Sequence, residues 1–498
     1  MKPSVTKIRA NDNVCVAIKP IAKGEQILIE GSSVTALGDI AVGHKIALVD
    51  LKPGDGITKY GVRIGSAITD IPKGSWVHSH NLKTDLTDAA RYEYKPQIST
   101  PMQNTDVPTF LGYKRKNGRV GTRNEVWIIN SVGCVNRSAE RISKLANTKF
   151  NRENFDGVFS FSHPYGCSQL GDDLVNTRSV LGGLACNPNA GGVLVMGLGC
   201  ENLQLDSLIK SIPDIDQRRL RFFNSQSVAD EIDEGMKMVE ELFEVMKDDT
   251  REEVPISELI LGVKCGGSDG FSGISANPLV GRITDVVTAH HGRVLQTEVP
   301  EMFGAEQLLM NRAATKKVFD EIVSLINEFK KYFVQHNQPV YENPSPGNKA
   351  GGLTTLEEKS LGAIQKGGSA TITQILKYGE QVTERGLALI NSPGNDAVSS
   401  TAMAASGATM LLFTTGRGTP LGFPVPTVKI STNTDLFVNK PNWIDFNAGK
   451  IIDGEATFET LTGEFLKYII DVASGKTKTK NEINEYKEIA IWKTGVTL

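Results

Sequence analysis

The sequence predicts an α/β protein in which a small β domain is followed by two α/β domains with mainly parallel sheets. Three observations predict it. The 498 residues are too many for one hydrophobic core. The first 85 residues read as short apolar runs separated by Gly, Pro and Asp, the pattern of small antiparallel sheets. From about residue 110 onward the pattern becomes apolar strand, glycine-rich turn and amphipathic helix, which is how parallel sheets are written.

In the front domain, 1–85, strands are expected at 14–18, 26–30, 44–48 and 76–80. Lys52-Pro53-Gly54-Asp55-Gly56 and Ile71-Pro72-Lys73-Gly74 are turns by mechanism, because proline fixes φ and glycine admits positive φ. Residues 86–109 are polar, carry Pro96, Pro101 and Pro108, and read as a linker. The middle domain, 110–246, has expected strands at 125–130, 157–161 and 192–196 and helices at 138–145 and 228–246. The charged run 247–253 reads as a solvated connection. In the C-terminal domain, 247–498, strands are expected at 259–263, 387–390, 409–413 and 428–430.

Composition narrows the function. Hydrophobic residues make up 40% and charged residues 22%, the balance of a folded soluble protein. A formal net charge of −3 offers no basic field for nucleic acid or an anionic membrane. No apolar run reaches the roughly 20 residues of a membrane span, and Met1-Lys2-Pro3-Ser4-Val5 lacks the apolar stretch of a signal peptide. A cytoplasmic protein is expected. Neither a Walker lysine motif nor a dinucleotide fingerprint is present.

The chemistry-bearing residues gather after the expected strands, where ligands of open α/β sheets bind. Cys134, Cys167, Cys200 and Cys265 each follow an apolar run and sit among glycines, and Glu201 follows Cys200. Thiolates are soft ligands for iron, zinc or iron–sulfur clusters. The absence of a CxxC pair argues against a zinc ribbon, and packing behind glycine turns is the alternative reading. Cys15 reads as core filler and Cys186 as a loop residue. His78 and His80, two apart on an expected strand, point the same way and suit an ion, a substrate or a solvated edge. Arg417, in a Gly/Thr-rich turn, suits a carboxylate. His290-His291-Gly292 reads as a helix end.

Several longer segments carry a family resemblance. They include Lys59-Tyr60-Gly61, Val77-His78-Ser79-His80-Asn81-Leu82, Gly121-Thr122-Arg123-Asn124 and Tyr165-Gly166-Cys167-Ser168-Gln169. Ile64-Gly65, Gly199-Cys200-Glu201-Asn202, Lys264-Cys265-Gly266-Gly267-Ser268-Asp269, Ser275-Ala276-Asn277-Pro278, Glu301-Met302-Phe303-Gly304-Ala305-Glu306, Pro393-Gly394-Asn395-Asp396 and Thr414-Thr415-Gly416-Arg417-Gly418-Thr419 complete the set. Over almost its whole length the chain resembles the altronate and galactarate dehydratase family.

The resemblance implies an SAF-type β-clip domain at the front and a hydro-lyase acting on a small-molecule sugar acid, without a nucleic-acid or membrane partner. Such an enzyme would convert D-altronate to 2-keto-3-deoxy-D-gluconate in hexuronate catabolism. Galactarate as substrate, or a non-catalytic sugar-acid-binding protein, are the alternatives; a homo-oligomer is compatible with each. It further implies Fe2+, with an iron–sulfur cluster or a divalent cation such as Mn2+ as alternatives. On this reading His78 and His80 are the catalytic pair, and Ser268, Asn395 and Arg417 bind substrate. Cys134, Cys167, Cys200, Glu201 and Cys265 are the metal candidates, with His78 and His80 as the alternative ligands.

Overall fold

The computed structural model describes residues 4–86, 92–98, 106–150, 153–212 and 215–498. The front domain is a set of short antiparallel sheets. Val5–Thr6, Val14–Ala17, Lys45–Ala47 and Trp76–Val77 form one; Gly56–Lys59, Val62–Ala67 and Leu82–Lys83 form another; Gln26–Ile29 pairs with Ser32–Thr35. The two hairpins turn on Glu30-Gly31 and Tyr60-Gly61, all four at positive φ, the backbone that matches the twist of the flanking strands. Cys15 is buried, as its apolar neighbours predict.

The middle domain has a parallel sheet made of β1 (Glu125–Asn130), β2 (Val158–Phe161), β3 (Ala190–Gly197) and β4 (Leu220–Asn224), in the order β2-β1-β3-β4. Helices α1 (Asn136–Lys149), α2 (Gly171–Ala185) and α3 (Glu231–Met246) cover it. The C-terminal domain has a seven-stranded parallel sheet. Its strands are β5 (Ile260–Cys265), β6 (Arg293–Gln296), β7 (Ile372–Leu376), β8 (Gly386–Ile390), β9 (Met410–Thr415), β10 (Thr427–Ser431) and β11 (Phe446–Asn447), ordered β7-β8-β6-β5-β9-β10-β11. The strands are almost entirely buried, which is why they read as unbroken apolar runs. Helix α4 (Ala276–Ala289) ends at His290, as the sequence predicts. Among the described residues no helix is long and apolar enough to cross a membrane.

Two expectations are modified. Within the charged run 247–253, Glu252 begins a strand, Glu252–Pro255, that pairs antiparallel with Thr109–Lys114. Its glutamates stay exposed, so the charge is solvated although the backbone is not free. The expected linker lies partly outside the described residues, at 87–91 and 99–105. Its described part is fixed to the C-terminal domain: the Tyr92 hydroxyl donates to Glu306 and the Gln97 amide to the Asn311 carbonyl.

The front domain docks through charge. Lys45 and Lys59, both fully buried, each place Nζ 2.8 Å from the Glu358 carboxylate on helix α5 (Leu356–Ala363). Thr355 Oγ1 donates to the Ile64 carbonyl at 2.6 Å. The middle domain is joined to the C-terminal domain by Arg123, whose Nε and Nη2 reach Glu482 at 2.6 and 3.0 Å. Thr122 Oγ1 donates to the Thr409 carbonyl, so β1 and β9 begin side by side.

Candidate active site

Strand β5 ends on Lys264 and Cys265, and the segments after β6 and β8 bring Glu298, Glu301 and Asp396 against them. Lys264 contacts Glu298 closely, lies 3.0 Å from Asp396 Oδ1 and donates to the Gly394 carbonyl. Lys366 Nζ is 3.0 Å from Glu298 and 2.9 Å from Cys265 Sγ. Lys359 is 2.9 Å from Glu301. Glu298 sits at φ +71°, a left-handed backbone that costs a non-glycine residue about 1 kcal/mol or more; the two lysines on its carboxylate hold it there. Burial lowers the Lys264 ammonium, but Glu298 and Asp396 outweigh that and keep it above the ordinary range. Burial would raise the Glu301 carboxyl; Lys359, then Lys264 and Lys366, hold it down to about 2. The Cys265 thiol is pushed up to about 12 by burial and then by Glu298.

Cys265, Glu298 and Glu301 bring one donor atom each within 4.8 Å of one another, a grouping that could hold a metal ion. As arranged, both carboxylates are already neutralised by Lys264, Lys366 and Lys359, and the thiol is protonated. A ferrous ion there would face three ammonium groups at hydrogen-bond range of its own ligands. The donor set does not fit such an ion while those lysines are charged.

A cavity of about 440 Å³ opens between the front domain and the carboxyl ends of β5, β9 and β10, with Lys19, Gly43, Asp269, Gly351, Arg417 and Asn433 in its wall. Asp269 is buried and accepts from Phe271 N, Ser272 Oγ, Thr432 Oγ1 and Asn433 Nδ2, so it ties the turn after β5 to the turn after β10. Arg417 is exposed, and its guanidinium makes no hydrogen bond or ion pair among the described residues. The Gly266-Gly267 turn lies between Arg417 and Asp396: a Cβ on Gly267 would meet Arg417 Cβ at 3.3 Å, and one on Gly266 would meet Asp396 Oδ2 at 2.5 Å. Ser268 is buried in the same turn, its carbonyl accepting from Asn348. Asn395 caps helix α6 (Asp396–Ala405), its Oδ1 accepting from Ala397 N and Val398 N. That commitment leaves only its amide group for a ligand.

The histidines lie at the docking surface. The front-domain strand stops at Val77, and 78–81 is a turn closed by Asn81 Oδ1 on His78 N, so strand alternation does not govern His78 and His80. His78 Nε2 lies 2.9 Å from the Lys349 carbonyl and its Nδ1 3.0 Å from Ser79 Oγ. His44, for which no local motif signals a role, contacts the Ala350 carbonyl and accepts from Trp76 Nε1. Burial lowers the pKa of both imidazoles. His80 lies against Trp76 with the two rings tilted, centroids 4.9 Å apart. His78→Ala should therefore cost about 1–2 kcal/mol, two hydrogen bonds, while His80→Ala should stay within about 0.5 kcal/mol. Thermal midpoints of the two variants check this.

The thiols divide into two groups. Cys134, Cys167 and Cys200 are exposed at the carboxyl edge of the middle sheet, whereas Cys265 is buried in the other domain among lysines and glutamates. Glu201 is buried, its carboxylate accepting from Ser131 Oγ, Leu198 N and Gly199 N. The lysine and glutamate cluster itself had one sequence signal, Lys264 closing an apolar strand, since a lysine so placed is buried and requires a partner.

Comparisons with known proteins agree along the whole chain. Residues 3–85 match the altronate/galactarate dehydratase SAF domain, 112–247 the second domain of D-galactarate dehydratase/altronate hydrolase, and 256–497 the D-galactarate/altronate dehydratase C-terminal domain. The chain is 51% identical to altronate dehydratase of Bacillus subtilis (strain 168) over 99% of this chain and 100% of that one. It is 50% identical to altronate dehydratase of Escherichia coli (strain K12) over 99% of both. Galactarate dehydratase (L-threo-forming) of Escherichia coli (strain K12) is 35% identical over 88% of this chain and 87% of its own length. With three successive domain matches and full-length relatives, the chain belongs to the D-galactarate/altronate dehydratase family and is an enzyme of the hydro-lyase class.

Proposed function

We propose that this enzyme removes water from D-altronate to give 2-keto-3-deoxy-D-gluconate, in hexuronate breakdown, with ferrous iron as its metal. The observation that carries the reading is Arg417, whose guanidinium faces the cavity without a hydrogen bond or ion pair among the described residues. A guanidinium offers a carboxylate two parallel N–H donors. Lys19 adds positive charge to the cavity wall, and Ser268, buried in the neighbouring turn, carries a hydroxyl suited to a substrate hydroxyl. Identity of 51% and 50% to altronate dehydratases, against 35% to a galactarate dehydratase, supports altronate.

Loss of water needs a proton taken from the carbon beside the carboxylate and a hydroxyl leaving from the next carbon. Asp396, one third exposed across the di-glycine turn from Arg417, is the carboxylate suited to move that proton, with Lys264 fixing its position. Negative charge that develops on the substrate carboxylate is stabilised by Arg417. Iron, when bound, supplies a Lewis acid for the carboxylate or the departing hydroxyl. Incubation with D-altronate and ferrous iron under reducing conditions is expected to yield the 2-keto-3-deoxy acid, detected as a new ketone. Turnover of galactarate with altronate inert would move the substrate within the family, and inertness toward every aldonate and aldarate would remove the reading.

A further inference from the structure

We infer that Asp435 and Asp453 form the far end of the substrate cavity, where they accept a terminal hydroxyl and repel a second carboxylate. The site is thereby built for sugar acids with one carboxylate and against those with two. The inference rests on the proposed function for the choice of cavity and for Arg417 as the group that holds the reacting carboxylate.

The strand order sets the two ends apart. The cavity wall is made by the turns after β5, β9, β10 and β11, which lie in that order in the sheet. Arg417 belongs to the turn after β9 and leans toward β5, its backbone N donating to the Gly267 carbonyl at 3.0 Å. Asp435 stands in the first turn of the helix Thr434–Asn439, which follows β10. Asp453 is the C-cap of the helix Gly449–Ile452, which follows β11. Neighbouring strands lie about 4.8 Å apart, so the two steps from β9 to β11 place the turn of Asp453 roughly 10 Å from that of Arg417. Six carbons joined by bonds of about 1.5 Å span about 6 Å. A hydrogen bond of about 2.8 Å at each end extends the reach to about 12 Å. A six-carbon acid held at one end by Arg417 therefore brings its other end to the aspartates.

That end is fixed in the wall. Asn433 Nδ2 donates to the Gly416 carbonyl at 3.2 Å, and Thr434 Oγ1 donates to Asp453 Oδ2 at 2.6 Å. A Cβ on Gly449 would meet Thr434 N at 2.2 Å, so glycine there lets the two helices meet. Asp453 is thus a charge held in place. Asp435 is exposed, and its carboxylate makes no hydrogen bond or ion pair among the described residues, which leaves its oxygens for a ligand hydroxyl.

The other charges of the cavity do not offset this end. The Asp269 carboxylate is occupied by four donors of the wall. Lys19 is more than half exposed and lies 3.5 Å from Glu25. Toward a neutral terminal hydroxyl the two aspartates act as hydrogen-bond acceptors. Toward a carboxylate they are like charges, and discrimination then comes from repulsion of the wrong substrate. One such charge about 6 Å away in a partly wetted cleft is worth about tenfold in affinity.

The test uses the iron-loaded full chain and compares kcat/KM for galactarate with kcat/KM for D-altronate. Inhibition of altronate turnover by galactarate gives the same comparison where galactarate itself turns over too slowly to follow. The wild type is expected to favour altronate. Asp435→Asn and Asp453→Asn should each raise the galactarate-to-altronate ratio about tenfold and the double variant about 100-fold, whereas Asp453→Glu, which keeps the charge, should not. Salt gives a readout that depends on no variant. Ionic strength screens repulsion, so the wild-type ratio should climb with salt while that of the double variant stays flat. A wild type that favours galactarate overturns the inference, as does a ratio unmoved in the double variant or by salt. If Arg417→Ala still impairs altronate turnover in that case, the proposed function stands and only the assignment of the far end falls. If Arg417→Ala is without effect, or the enzyme is inert toward both acids, both fall.

Discussion

Arg417→Ala is expected to lower kcat/KM for the sugar acid about 100-fold, the loss of two charge-assisted hydrogen bonds at about 1.5 kcal/mol each. The guanidinium is exposed and uncommitted in the free enzyme, so its removal leaves folding intact and the thermal midpoint close to that of the wild type. Because the carboxylate is present in the bound substrate and gains charge as the neighbouring proton leaves, both KM and kcat should suffer. Arg417→Lys keeps the charge and loses the paired donors, and should recover only part of the rate. Steady-state kinetics of the two variants decide the matter. An Arg417→Ala enzyme with wild-type kcat/KM would remove Arg417 from the site.

Glu358→Ala carries the largest expected effect on stability, a loss of about 3–5 kcal/mol. Its carboxylate neutralises Lys45 and Lys59, both essentially without solvent contact, and accepts from Thr354 N and Oγ1. Truncation leaves two buried ammonium groups without a counter-charge. One of them can release its proton, and burial already pulls Lys45 down to about 8. The front domain should loosen, and activity should fall with it because Lys19 and Gly43 line the cavity. Thermal unfolding at neutral pH measures the loss. The pH dependence has a defined sign: burial opposes ionisation of Glu358, but the two lysines hold its carboxyl far below the ordinary range. A carboxyl so depressed stabilises the fold fully above about pH 4.5, and the contribution fades only as pH falls toward the folded value. An unchanged midpoint in Glu358→Ala would mean that Lys45 and Lys59 are solvated in solution.

The sequence was legible wherever a local rule decides structure. Buried parallel strands must be apolar and end on turns, which located β1, β3, β5, β8, β9 and β10 and put Cys134, Cys200, Ser268, Asn395 and Arg417 at strand ends. Gly54 and Gly74 take the positive φ that their turns require. It was less legible where a charged residue is buried. Leu356-Glu357-Glu358-Lys359-Ser360 carries three charges in a row, yet every residue of α5 is buried, because Lys45, Lys59 and Thr84 arrive from about 270 to 310 positions away in the chain to pair with its glutamates.

By itself, then, the sequence determined the class of fold, the strand ends on which reactive residues collect, and the resemblance that named a chemistry, since these depend on residue type and short-range periodicity. Which of those residues meet depends on how distant segments pack. That packing separated Cys265 from the other three thiols, turned Glu201 inward, committed both ring nitrogens of His78 to hydrogen bonds, and left Arg417 open to a ligand. The reason is physical: whether a polar group binds a ligand depends on whether its hydrogen bonds and charge are already satisfied, and its partners come from elements far apart in the chain.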